Sequence, residues 1–284
     1  MATKAVRNGG RSYSLVGKES VSESPTYSMY VCAEEGVPRE CLLQVSKNAA
    51  GDSRLDKFAF VLGELKERAG ELEKEYEAVR TKPNMMLNYD LGFPELVDSF
   101  VCKELGSRRV NVLAFRNVPE VGKMAALRSI VEKDGLRVDL KTSAWILGKL
   151  LKLLTFAHSQ NISVGMVTAG NVLIQAKEHY VLIFDWSKAT LHSGKIPMEM
   201  RQQDIMQAAK AVVMALGGSN AGIPDDPTPN KGYGRYADHV LRLARGSESN
   251  AQRAHELFYE LIQELWESGY HPFTPIQLSK EEGE

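Results

Sequence analysis

Between residues 55 and 79 the apolar side chains Leu55, Phe58, Leu62, Leu65, Ala69, Leu72, Tyr76 and Val79 recur at alternating intervals of three and four. That rhythm keeps them in one stripe along a helix, because residues three and four apart lie on the same face. A helix of this span is roughly 37 Å long at 1.5 Å per residue, so the fold must supply a wide surface to cover it. The same spacing also describes a coiled-coil seam lasting a little over three heptads. Ala69 and Tyr76 make poor repeated knobs, which favours a stripe facing the chain's own core and leaves a homodimer through the stripe as the alternative.

A core large enough to receive such a helix is available. The chain has 284 residues, 43% hydrophobic and 25% charged, enough for one large domain or two lobes. Its 35 basic residues nearly balance 36 acidic ones, so no overall field favours nucleic acid or an anionic membrane. No apolar run is long enough to span a bilayer, and the polar start Met1 to Gly10 has no signal-like stretch, so a cytoplasmic protein is expected. Cys32, Cys41 and Cys102 are odd in number and form no CxxC pair, which reads as reduced, buried thiols. The six histidines never fall at HExxH spacing, which speaks against a protein-borne metal cage.

Around the helix the pattern is two-part. Before it, Tyr13 to Val16, Thr26 to Cys32 and Glu40 to Val45 are rich in strand formers and separated by Gly, Ser and Pro. After it, Pro83 and Asn84 mark a stop, and Leu96 to Val101 and Val110 to Phe115 read as two further strands. From Lys141 the pattern turns helical: Leu140, Ala144, Leu147, Leu151, Leu154 and His158 share a face, with Asp139 placed as the cap. Two short strands at Asn171 to Gln175 and Tyr180 to Phe184 follow, then helices over Asp204 to Leu216 and about Ala251 to Ser268, ending at glycines. The expectation is an α+β chain: a tail at 1–12, a lobe at 13–115 with a five-stranded antiparallel sheet and one long helix, a mainly helical lobe at 116–275, and an acidic tail at 276–284.

Polar residues fall at telling places in this order of elements. Lys47 ends Leu43-Gln44-Val45-Ser46-Lys47; Ala157-His158-Ser159-Gln160-Asn161-Ile162 closes a long helix; Asn171-Val172-Leu173-Ile174 is followed by Val181-Leu182-Ile183-Phe184-Asp185-Trp186-Ser187; and Asp204 opens the next apolar stretch. In order and motif, from about Tyr13 to Phe273, the chain resembles the protein-kinase fold, and within it bacterial kinase-like proteins with Asp-Trp-small in place of Asp-Phe-Gly and Gly in place of the catalytic-loop Arg. The resemblance implies a two-lobed fold in which Lys47 meets the α and β phosphates of ATP and pairs with Glu75, or alternatively Glu71. It implies Mg²⁺ held by Asn171 and Asp185, and Asp204 bracing the catalytic loop. Read without it, Asn171 and Asp185 are turn residues and Asp204 a helix N-cap.

The departures from a working kinase are specific. Counting back from Asn171, the positions of the His-Arg-Asp triplet hold Val164, Gly165 and Met166. Met166 has no group to accept a hydroxyl proton, so no catalytic base is expected. The phosphate-covering loop, Val16-Gly17-Lys18-Glu19-Ser20-Val21-Ser22-Glu23-Ser24, has one glycine where kinases have three, leaving the serine hydroxyls as substitute donors. The stretch between Asp185 and Asp204 holds no Ala-Pro-Glu platform, only a mildly basic set of Lys188, His192 and Lys195. The expected function is a pseudokinase that binds ATP with Mg²⁺ through Lys47, Glu75, Asn171 and Asp185 and acts by contacting a protein partner. An active atypical kinase or nucleotidyl transferase of the same fold, and a helix-mediated scaffold, are the alternatives.

Overall fold

Along residues 40–46 side chains alternate between two environments, and this alternation organises the first half of the chain. Cys41, Leu43 and Val45 join one apolar cluster, which sends Leu42, Gln44 and Ser46 to the opposite face. The computed structural model describes residues 5–17, 19–81, 87–219, 221–224, 232–267 and 269–278. Two units emerge, residues 1–124 with 186–188 and residues 125–185 with 189–284, so the division falls after Met124 where the sequence suggested residue 115.

The first unit contains β1 (Ala5–Asn8), β2 (Arg11–Leu15), β3 (Ser22–Glu23), β4 (Tyr27–Glu34), β5 (Glu40–Ser46), helix α1 (Ala49–Val79), β6 (Glu95–Cys102) and β7 (Arg108–Ala114). The strands form one antiparallel sheet in the order β1-β2-β4-β5-β7-β6, with β3 beside β4. Asn8 donates to both Asp98 carboxylate oxygens at 2.9 and 3.0 Å, and the Tyr13 hydroxyl donates to Asp98 at 3.1 Å. These bonds join the first hairpin to β6 at the far edge, so the sheet curls around Tyr13, Cys32, Leu43 and Val112, all buried. Residues 5–12, expected as tail, are therefore a paired hairpin turning at Gly9, whose φ of +56° suits glycine.

Helix α1 starts at an Asn48 cap that accepts from the Gly51 amide at 2.9 Å. The apolar stripe buries Leu55, Phe58, Leu62, Leu65 and Ala69 against the sheet, as a core-facing stripe requires. Beyond Ala69 the burial stops: Leu72 and Tyr76 are half-buried and Val79 is 74% exposed. Pro83, Asn84 and Lys18 lie outside the described residues.

The second unit contains β8 (Ala125–Ala126), α2 (Leu127–Glu132), β9 (Leu136–Val138), α3 (Leu140–Ser159), β10 (Ile162–Ser163), β11 (Val172–Gln175), β12 (Tyr180–Ile183), β13 (Thr190–Leu191), α4 (Met198–Ala215), α5 (Tyr233–Ala244), α6 (Ala251–Leu265) and β14 (Pro275–Gln277). Asp139 caps α3 by accepting from the Thr142 amide at 2.8 Å. The hairpin β11–β12 forms in the expected place, with Val172 opposite Ile183. Helix α6 ends at Leu265, short of the expected Ser268, which lies outside the described residues. Residues 276 and 277, placed in the acidic tail by sequence, extend a strand paired with β9. Among the described residues no helix is long and apolar enough to cross a membrane.

Two consequences can be measured. Leu62→Ala removes a side chain that is 1% exposed and is expected to cost about 2–5 kcal/mol in chemical denaturation. Val79→Ala should stay within about 0.5 kcal/mol, and equal losses would contradict a stripe buried only as far as Ala69. Acid stability supplies a second check. Burial, seconded by Arg242 for His239 and by Lys152 for His255, pushes both imidazoles below their ordinary value of 6.5. The unfolded chain then takes up protons first on acidification, so this contribution is complete above about pH 6.5 and is lost as pH falls through that value towards the folded pKa. His239→Gln should flatten the fall in Tm between about pH 7.5 and pH 5.5 relative to wild type; an unaltered slope would contradict it.

Candidate functional site

Three backbone amides of the segment 164–167 have no strand or helix to pair with, and α4 satisfies them. Asp204, fully buried in the second turn of α4, accepts from the Val164 amide at 2.8 Å through Oδ2 and from the Gly165 amide at 2.7 Å through Oδ1. Gln207, three residues on and so on the same face, accepts from the Val167 amide at 2.7 Å. His158, at the end of α3, places Nε2 3.0 Å from Asp204 Oδ2. A buried carboxylate is tolerated when several donors surround it, and this one has three. Its position inside α4, which begins at Met198, removes the N-cap alternative and matches the brace that the kinase resemblance implied. Gly165 takes φ +71°, a conformation costly for residues with a Cβ.

Met166 sits between the gripped residues, half-buried, and its thioether accepts no proton at neutral pH. The segment following Asp185 is tied to the same loop. Strands β10 and β13 pair Ile162 with Leu191 and Ser163 with Thr190, and His192 approaches the Ser163 hydroxyl at 3.0 Å through Nε2. His192, read from sequence only as part of a mildly basic stretch, thus belongs to the loop's support.

Asn171 and Asp185 do come together, through the backbone. Asn171 Nδ2 donates to the Met166 and Asp185 carbonyls, each at 2.7 Å, and its Oδ1 accepts from the Asp185 amide at 2.8 Å. Both amide hydrogens and one oxygen lone pair are therefore engaged. The two residues are 3% and 2% exposed. Asn171 works as a bracket that closes the loop onto the end of β12.

In the first unit the expected phosphate clamp is not assembled. Lys47 lies one residue past the end of β5, where Nζ donates to Glu23 at 2.5 Å and to the Ser24 carbonyl at 2.9 Å. Glu75 is exposed on α1, and Glu71, also exposed, pairs with Arg68 at 2.9 Å; neither is the partner of Lys47. The pairing inferred from sequence fails because the buried face of α1 consists of Gly51, Leu55, Phe58, Val61, Leu62, Leu65 and Ala69, with no carboxylate. The polar side chain on the α1-facing side of mid-β5 is Gln44, fully buried and with neither amide atom hydrogen-bonded. Sequence reasoning passed over Gln44, although its alternation with Leu43 and Val45 was the available signal. The serine loop is likewise committed locally: the Ser24 hydroxyl accepts from the Thr26 and Tyr27 amides at 3.2 and 3.1 Å. Lys47, Ser20 and Ser28 together lower the Glu23 carboxyl below its usual value.

ATP with Mg²⁺ requires hard oxygen donors able to turn to the cation and a cationic side chain reserved for phosphate. Asn171 is spent on backbone, Lys47 on Glu23, and no carboxylate stands on the buried face of α1. Among the described residues no cluster of three or more His, Cys, Asp or Glu is arranged to hold a metal.

No protein-family model and no curated protein sequence matches the chain. Solved structures do. The kinase domain of Mycobacterium tuberculosis PknI is similar with a TM-score of 0.51 at 13% identity, over 92% of this chain and 100% of that one. A variant of the same domain with one cysteine changed to alanine gives 0.51 and 13%, over 92% and 99%. The chain thus has a protein-kinase-like fold: a curled antiparallel sheet with one long helix, and a mainly helical second lobe.

Asp204→Ala would strand the Val164 and Gly165 amides, and it is expected to cost about 2–5 kcal/mol by urea denaturation. Met166→Ala leaves every one of those bonds in place and should cost clearly less; the reverse ranking would contradict a loop held by Asp204.

Proposed function

We propose that this chain is a pseudokinase: a kinase-fold module that contacts another protein and transfers no phosphoryl group. The observation that carries this reading is the contrast within one loop. Asp204 and Gln207 hold residues 164–167 by three backbone bonds, yet Met166 occupies the place where a base would stand. A base contributes about 10²–10⁴ in rate, and the remaining machinery is diverted as well, Lys47 to Glu23 and Asn171 to the backbone. What persists is the part of the architecture that maintains shape. A cytoplasmic setting, in which the buried thiols of Cys32, Cys41 and Cys102 stay reduced, accords with this role.

The reading is tested by pairing a thermal-shift titration with labelling. A ligand at 100 times its dissociation constant stabilises by about 2.7 kcal/mol, and ATP with Mg²⁺ is expected to leave Tm unchanged. Incubation with γ-labelled and α-labelled ATP is expected to leave the chain and added proteins unlabelled. A Tm increase abolished by Asp185→Asn would restore the nucleotide site. Label that depends on Asp185 would establish the atypical transferase instead.

A further inference from the structure

The largest of the described cavities lies in the second unit, away from the loop at 164–167. It is a trench of about 670 Å³ between α3 and α6, closed at one side by the β11–β12 turn. Its floor includes Ala144, Gly148, Phe258 and Ile262. Three rings stack along one wall: Trp145 against His179 at 4.6 Å between centroids, and His179 against Tyr270 at 4.5 Å, nearly parallel in both cases. Tyr270 ends the stack 76% exposed, an open aromatic face beside an apolar floor.

The charge along this trench is one-sided. Lys141, Lys149 and Lys152 line it against one carboxylate, Glu267, among the described lining residues. Lys149 donates to the His179 carbonyl and lies 6.0 Å from the centre of the Trp145 ring, contacts that fix the ammonium without neutralising it. Burial, and for Lys149 also the charge of Lys152, pushes both amines below their ordinary value. Crowded cations over an aromatic floor are relieved by an incoming anion.

Shape separates a peptide from a small anion. Lys141 and Lys152 stand about three turns apart on α3, so the cationic row runs roughly 16 Å. A cavity of about 670 Å³ spread over that length is narrow, and its positive charges are spaced along it and do not converge on one point. An extended chain advances about 3.3 Å per residue, so about five residues fill the row. We infer that the trench between α3 and α6 docks a short extended acidic segment of a partner protein, anchored by an aromatic or large aliphatic side chain against Tyr270 and the apolar floor. The inference rests on the pseudokinase reading and names the surface through which it would act.

Two of the three tryptophans, Trp145 and Trp266, line the trench, so binding reports on intrinsic fluorescence. A displayed library of short random peptides is selected on the full chain, and the strongest peptide is titrated by tryptophan fluorescence. Recovered sequences are expected to be net acidic with an aromatic or large aliphatic residue. Lys149→Glu combined with Lys152→Glu should weaken binding by at least about tenfold, 1.4 kcal/mol, at an unchanged Tm. If that variant unfolds, Tyr270→Ala at the exposed rim serves in its place and should weaken binding through the lost anchor. Neutral or basic winners, no enrichment, or affinity retained in the variants overturns the assignment. Saturable quenching by benzoate or inorganic phosphate, with no peptide response, overturns it in favour of a small anion. Acidic peptides that bind equally well to both variants move the docking surface elsewhere and leave the pseudokinase reading standing, whereas ATP-dependent labelling defeats that reading whatever the trench does.

Discussion

The carboxylate of Asp204 is the interaction on which the second lobe's loop depends. It is fully buried, and its two oxygens satisfy consecutive amides of Val164 and Gly165 while His158 adds a third donor. Buried amides without partners cost about 1–3 kcal/mol each, so a loop threaded between α3 and α4 needs such an acceptor to exist at all. Gln207 extends the grip to Val167, and Asn171 closes the loop from its other end by donating to Met166 and Asp185. Apart from the His158 contact, every one of these bonds ends on backbone. The side chain at 166 can therefore vary without loss of the loop's path, whereas Gly165, at φ +71°, and the buried Val164 are constrained.

The first lobe commits its corresponding polar residues to local structure. A phosphate clamp needs a cation on the sheet and a carboxylate on the facing helix. Here the facing helix offers leucines and phenylalanine, and the mid-strand position carries the neutral amide of Gln44. Lys47 secures the loop around Ser24 through Glu23. The Ser24 hydroxyl, one of those that seemed available as phosphate donors, holds a turn together instead, because it accepts from two amides two and three residues on.

The sequence made much of this fold legible because its strongest signals are periodic. The helix from Leu55 to Val79, though buried only as far as Ala69, the face from Leu140 to His158 and the hairpin at 172–183 all follow simple periodic patterns and appear where those patterns place them. The first hairpin escaped notice because Ala5–Asn8 is short and only Val6 on it is buried; its pairing is fixed from a distance by Asp98. Helix α5 has a strongly two-faced pattern, but it follows a Pro- and Gly-rich stretch that reads as loop. For the site, the bracing role of Asp204 was legible only through the kinase resemblance, since its own surroundings, Gln203 and Ile205, read equally as a helix N-cap. The partner of Lys47 was not, since a glutamate-rich helix presents several candidates and spacing alone does not say which face is buried. Lys47 itself lay one residue beyond the strand that gave it meaning, whereas Gln44 kept the strand's period.

The proposed function holds only if the loop at 164–171 is kept for shape and Asn171 and Asp185 are not a metal pair. The most direct measurement is a crystal structure determined after soaking with a non-hydrolysable ATP analogue and Mg²⁺. The expected result is no nucleotide or cation at Asn171 and Asp185, with the Asn171 bonds to Met166 and Asp185 unchanged. Mg²⁺ ligated by Asn171 Oδ1 and the Asp185 carboxylate, with nucleotide phosphates completing its shell, would contradict it.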